Sequence, residues 1–194
     1  MTKSIPANKK SIKKIIIAFV MLSLATICTA FALIFLYKTA YPLKYVEYIE
    51  EFSEKYNVDK YLVYAVIRTE SSFNAAAVSH QNAFGLMQIT GETFDWAKQR
   101  MRDHRDISRD DLYNEKYNIE YGTFLLSVLT TEFESSDAAL AAYHSGRRQV
   151  NIWLEDKKYS PDGIHLEISS MPQNTRNYIL RVNNSYRVYK KLYA

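Results

Sequence analysis

The stretch DKYLVYAVIRTESSF, residues 59–73, reads as one amphipathic helix that ends on an acid. Val63, Val66, Ile67 and Glu70 follow the i, i+3, i+4, i+7 series, so the Glu70 carboxylate lies on the face that turns toward a core. Asp59 stands where a helix N-cap belongs. Glu70 also sits at the helix C-terminus, where the partial negative charge of the macrodipole disfavours an ionised acid. Desolvation acts in the same direction, so this carboxyl is expected to keep its proton to higher pH than a solvated one. A proton held near neutrality is what general-acid cleavage of a glycosidic bond requires. A core-edge acid satisfied by a buried Arg or by backbone donors has the same signature, so the surrounding sequence must decide.

Outward from that helix the chain reads as further helices. Leu43 to Tyr56 carries Val46, Ile49, Phe52 and Tyr56 on one stripe. Residues 71–90 have no helical period and are rich in Ser, Ala and Asn, which predicts a loop or a short hairpin, with Thr90 capping the next helix. Tyr117 to Phe133 predicts a long buried helix around Ile119, Phe124, Leu125, Val128 and Leu129, and Ser136 caps a short helix through Ala142. After the Pro161-Asp162-Gly163 turn and Pro172, a last helix runs to Leu192 with Tyr178, Val182, Tyr186 and Tyr189 on its stripe. No alternating strand of any length and no internal repeat is present. The fold class is mainly α.

Toward the N-terminus, Ile15 to Tyr37 is a 23-residue run without a charge, long enough to span a bilayer as a helix. Lys3, Lys9, Lys10, Lys13 and Lys14 precede it with no acid among them. That asymmetry predicts a cytoplasmic basic segment over 1–14, a transmembrane signal anchor over 15–37 and an extracytoplasmic domain over 38–194, making this a single-pass protein of the cell membrane. Ala30-Phe31-Ala32 has the small-x-small form of a cleavage site, but apolar residues continue past it to Leu36, which favours an uncleaved anchor. Cys28 is a poor lipoprotein site, because Ile27 precedes it and apolar sequence follows.

Five of the 25 basic residues precede the apolar run, leaving 20 against all 21 acids from residue 38 onward, a net of −1. No basic patch or binding motif for nucleic acid follows from that balance. Arg100, Arg102 and Arg105 cluster, but Asp103, Asp106 and Asp110 interleave with them, which predicts a solvated surface segment. Cys28 is the single cysteine and lies in the apolar run, so the exported domain must be held by its own core. His80, His104, His144 and His165 have no paired spacing. Neither a metal site nor a cofactor is expected.

Four short segments then align: Glu70-Ser71-Ser72-Phe73, Gly85-Leu86-Met87-Gln88-Ile89, Ala142-Tyr143-His144-Ser145-Gly146 and Thr175-Arg176-Asn177-Tyr178. Each is a weak signal alone; in this order and spacing they resemble the four signatures of the lytic transglycosylase catalytic domain, soluble-lytic-transglycosylase type. The resemblance covers roughly residues 43–192. It implies a lysozyme-like α domain acting on peptidoglycan glycan strands. It also implies cleavage of the MurNAc-GlcNAc linkage that leaves a 1,6-anhydromuramyl end. The residues are compatible with such chemistry, since no Asp or Glu lies between Glu70 and Glu92. Ordinary glycosidases need a second carboxylate about 5 to 9 Å from the first; an intramolecular attack by the sugar's own hydroxyl does not.

By the same resemblance, Glu70 is the catalytic acid, and Ser79, Met87, Gln88, Tyr143, His144 and Tyr178 line the cleft. Gly85 suits a close backbone approach. Met87 offers a soft apolar surface and Gln88 an amide, with ordinary core packing an equal role for Met87. Tyr143 and Tyr178 are expected near Glu70, although a chain with 16 tyrosines also uses them as core aromatics. Arg176 reads as a structural partner. Two positions depart from the family pattern: His144 stands where Asn is usual, and Asn174 where an acid usually precedes Thr-Arg. A hydrolytic muramidase on the same fold, or a noncatalytic membrane-tethered wall-binding module, would share most of these features. No protein partner is legible.

Overall fold

The computed structural model describes residues 9–194, so the first eight residues of the basic N-terminal segment fall outside the described residues. The chain forms two units, one ending at Pro42 and one spanning Leu43–Ala194.

The first unit is a single helix, α1 (Lys9–Ala40), apolar and long enough over Ile12–Ala40 to cross a membrane. Its large side chains are exposed on every face, which suits a lipid surround. The hydroxyls of Ser23, Thr26, Thr29 and Thr39 donate to carbonyls three or four residues back, Ser23 to Val20 at 2.8 Å. Such back-bonding hides the few polar groups the helix carries.

The second unit holds seven helices among the described residues. They are α2 (Val46–Tyr56), α3 (Lys60–Ser71), α4 (Gly91–Met101), α5 (Glu115–Glu132), α6 (Ser136–Ser145), α7 (Arg147–Glu155) and α8 (Gln173–Tyr193). The Asp59 carboxylate accepts from the Tyr61 amide at 2.8 Å and caps α3 as its sequence position requires. Val63, Ala65, Val66 and Ile67 are wholly buried, and α3 packs chiefly against α8. α2 packs on α5, and α6 fits between α5 and α8. α6 is buried all round over residues 138–142, where Leu140 is the one large side chain among four alanines that let its neighbours approach closely.

Between α3 and α4 the chain makes a small antiparallel hairpin, β1 (Ala83–Phe84) and β2 (Ile89–Thr90), with Ala83 opposite Thr90 and Phe84 opposite Ile89. Thr90 then caps α4, its hydroxyl accepting from the Thr93 amide. Elsewhere the boundaries shift. α5 begins at Glu115, because the Asn114 side chain accepts from the Lys116 and Tyr117 amides. α6 continues past Ala142 to Ser145, and α7 has no counterpart in the sequence reading, since its only buried residues are Val150 and Trp153.

The charged segment after α4 is not simply solvated. Arg105 bridges Asp103 at 2.6 Å and Glu120 at 2.8 Å, and Glu120 is a nearly inaccessible acid of α5 that also takes Lys55 at 2.8 Å. Tyr121 donates to Asp103 at 2.6 Å. The arginine is held there because a buried carboxylate on a neighbouring helix needs cations.

Candidate active site

Glu70 occupies the last turn of α3. Ser72 and Phe73 follow in left-handed conformation, at φ 51° and 65°, and turn the chain out of the helix. The Ser71 hydroxyl donates to Leu86 O at 2.8 Å, tying the helix end to the turn between β1 and β2. Burial is the largest influence on Glu70 and pushes its pKa from 4.5 up to about 7, against the opposing pull of the Tyr178 hydroxyl and the Arg181 guanidinium. No second carboxylate is among the groups that act on it.

That turn is built around an amide the sequence reading missed. Asn118, wholly buried on α5, donates from Nδ2 to Phe84 O at 2.9 Å and Leu112 O at 2.8 Å, and its Oδ1 accepts from the Met87 amide at 2.7 Å. Gly85 sits directly against it at φ 74°; a Cβ there would lie 2.3 Å from Asn118 Nδ2 and 2.5 Å from Leu112 O. The glycine is therefore required by a left-handed backbone and by contact. A polar residue inside the expected buried helix Tyr117 to Phe133 was the available signal for Asn118.

Met87 is also wholly buried, packed on Gly122, where a Cβ would fall 2.4 Å from its Sδ. Its side chain lies in the core, and its carbonyl does the positioning by accepting from the Tyr143 hydroxyl at 2.8 Å. Gln88, at φ 50°, donates from Nε2 to Ala77 O and Gly85 O at 3.2 and 3.0 Å. The Ser79 hydroxyl accepts from the Gln81 and Ala83 amides. Both side chains thus brace the loop that follows Glu70. Arg176 donates to Ser169 O at 3.2 Å, a structural contact.

Around the acid stand Tyr143, His144 and Tyr178. Burial and the nearby Glu70 push both tyrosine hydroxyls well above their ordinary range, so each remains a proton donor. The Tyr178 hydroxyl hydrogen-bonds toward the Glu70 carboxyl and favours its charged form. The His144 ring lies flat on Tyr178, with centroids 4.5 Å apart and planes 14° from parallel. Burial, and then Arg181, lower its pKa below the usual 6.5, so the ring is neutral at pH 7.

His144 borders two cavities. One, of about 650 Å³, is walled by Gln81, Asn174, Asn177, Arg181 and Asn184; the other, of about 390 Å³, by Glu92, Trp96, Tyr143 and Arg147. A third, of about 510 Å³, shares Thr90 and Glu92 with the second. The depressions are of a size for small-molecule or sugar units, and Tyr143 lines the second of them. No group of three or more His, Cys, Asp or Glu among the described residues could hold a metal ion.

The model of the transglycosylase SLT domain family matches residues 47–165. A membrane-bound lytic murein transglycosylase C of Salmonella arizonae is 30% identical over 168 residues, covering 76% of this chain and 47% of that protein. Its namesake from Glaesserella parasuis is 29% identical over 178 residues, covering 77% and 46%. The 70 kDa soluble lytic transglycosylase of Escherichia coli superposes with a TM-score of 0.73 at 25% identity, over 80% of this chain and 25% of that one. The chain spans about half the length of the curated relatives it matches. The mainly α, lysozyme-like fold expected from the four motifs is the fold found, and the chain belongs to the transglycosylase SLT domain family.

Proposed function

We propose that the protein is a membrane-tethered lytic transglycosylase that cleaves the β-1,4 bond between MurNAc and GlcNAc in peptidoglycan. The observation that carries this reading is one partly buried acid whose pKa burial raises to about 7, with no carboxylate acting on it and a buried tyrosine hydroxyl hydrogen-bonded beside it. Glu70, protonated, gives its proton to the glycosidic oxygen as the C1–O bond breaks, and the GlcNAc unit leaves with its 4-hydroxyl restored. The Glu70 carboxylate then takes the proton from the C6 hydroxyl of the muramyl sugar while O6 bonds to C1. The product is a 1,6-anhydromuramyl end, no water is consumed, and Glu70 is again protonated. Tyr178 supplies a hydrogen bond to Glu70, and Tyr143, fixed on Met87 O, keeps the wall beside the acid in place.

A hydrolytic muramidase is the second reading, because Glu92 lines the cavity that Tyr143 and His144 also border. A hydrolase would use that acid to activate water. α1 tethers the domain to the membrane, with the five lysines before the apolar run holding the N-terminus in the cytoplasm and the domain outside. Relatives named as membrane-bound support the tether.

The test is mass spectrometry of purified peptidoglycan digested by the full chain in detergent and by its Glu70→Gln variant. Anhydromuramyl ends that vanish in the variant are expected. Reducing ends would establish the hydrolase and make Glu92→Gln the next variant. Retained wall binding without release by either protein would leave a binding module.

A further inference from the structure

His144 and Asn174 fall on the wall of one cavity. That cavity holds no acid. Its polar lining is the amides of Gln81, Asn174, Asn177 and Asn184, the His144 ring and the Arg181 guanidinium. Asn177, Arg181 and Asn184 follow the i, i+4, i+7 spacing along α8, so they share one face. Arg181 is exposed and forms no ion pair among the described residues, unlike Arg147 in the adjoining cavity, which is held by Glu132 at 2.7 Å. The second cavity that His144 borders contains Glu92 beside the paired Arg147. The α8 cavity therefore carries a guanidinium with no ion pair among the described residues, which also acts on Glu70.

We infer that the α8 cavity is the subsite that takes the carboxylate-bearing 3-O-substituent of the muramyl sugar, with Arg181 as its anion-binding residue and the Asn177 and Asn184 amides as donors beside it. This rests on the proposed peptidoglycan reading and gives the bound strand a direction. The muramyl side chain lies along α8, and the neutral GlcNAc unit passes toward Trp96. A guanidinium presents paired donors that match a carboxylate. An acid at position 174 would repel that carboxylate, and Asn174 removes the repulsion. The carboxylate has two sources, the free lactyl acid of denuded strands or the acids of a stem peptide, and they share this chemistry.

The experiment measures KM and kcat of the full chain in detergent on denuded strands, on the same strands with the lactyl acid converted to its methylamide, and on peptide-bearing strands. Wild type, Arg181→Gln, Arg181→Lys and Asn174→Glu are compared. Masking the acid is expected to raise the wild-type KM about fivefold, the size of one partly exposed ion pair. Arg181→Gln should show that rise on charged strands and be indifferent to masking, Arg181→Lys should recover most of it, and Asn174→Glu should imitate the loss. A loss confined to peptide-bearing strands assigns the stem acids; a loss on denuded strands assigns the lactyl acid. Equal sensitivity of wild type and Arg181→Gln to masking on denuded strands, together with equal KM on peptide-bearing ones, overturns the inference. Binding of the same strands to Glu70→Gln with and without Arg181→Gln reads the contrast without turnover. A wild type that cleaves nothing therefore refutes the enzymatic reading alone.

Discussion

Replacing Glu70 by Gln should remove activity and also make the protein more stable, but only above about pH 5. Burial raises the folded-state pKa of Glu70 from 4.5 to about 7. Below pH 4.5 the carboxyl is protonated whether the chain is folded or not, and it contributes no difference. As pH rises from 4.5 to 7 the unfolded chain ionises while the folded one cannot, so the wild type loses stability across that window and levels off above it. At about 1.4 kcal/mol per pH unit, the interval corresponds to about 3 kcal/mol. Glu70 is only partly shielded from water, which reduces the figure to about 2 kcal/mol. The Tyr178 hydroxyl and the Arg181 guanidinium oppose the upward shift without cancelling it. Urea unfolding of the full chain in detergent, followed through Trp96 and Trp153, should give equal midpoints for wild type and Glu70→Gln at pH 4. At pH 8 the variant should be the more stable by about 2 kcal/mol. A pH-independent difference, or a variant less stable at pH 8, would refute the claim that the site holds its acid against desolvation. The same group sets the activity profile: general-acid turnover should fall as pH rises through about 7.

Three further outcomes follow from the geometry. Asn118→Leu keeps the volume but leaves Met87 N–H, Phe84 O and Leu112 O without their buried partner, so urea unfolding should show a loss of about 3 to 5 kcal/mol, with the loop beside Glu70 loosened and kcat falling. Tyr178→Phe deletes a buried hydroxyl whose partner is Glu70, so stability should fall by about 1 kcal/mol while kcat/KM drops about tenfold or more, and the alkaline limb should move to higher pH because one group favouring the Glu70 carboxylate is gone. Arg105→Ala withdraws one of two cations from the buried Glu120 and should cost about 2 kcal/mol, whereas Arg109→Ala, at an exposed pair with Asp95, should leave the midpoint nearly unchanged in the same assay.

Much of this was legible in the order of residues, because local rules decide it. The stripe of Val63, Val66, Ile67 and Glu70, the Asp59 cap and the Thr90 cap depend on spacings within one or two turns, which survive in any tertiary setting. The apolar run of α1 is a matter of length and composition. The close backbone approach at Gly85 was also readable, though neither its left-handed φ nor what it touches. By contrast, α7 went unseen because Val150 and Trp153 alone carry too little period to mark a helix.

What the tertiary structure decided is everything that depends on partners far apart in the chain. Asn118 reaches 34 residues back to hold Phe84 O, and Tyr143 reaches 56 back to hold Met87 O. Met87 lies under Gly122 with its side chain in the core because α5 passes over it, which no motif could reveal. Arg181 and His144 meet at one cavity only because α6 and α8 pack together. The sequence determined that an acid would sit at the end of a buried helix stripe. Packing determined how much water that acid loses and which charges face it, since desolvation and Coulomb terms depend on distances that only the closed fold sets.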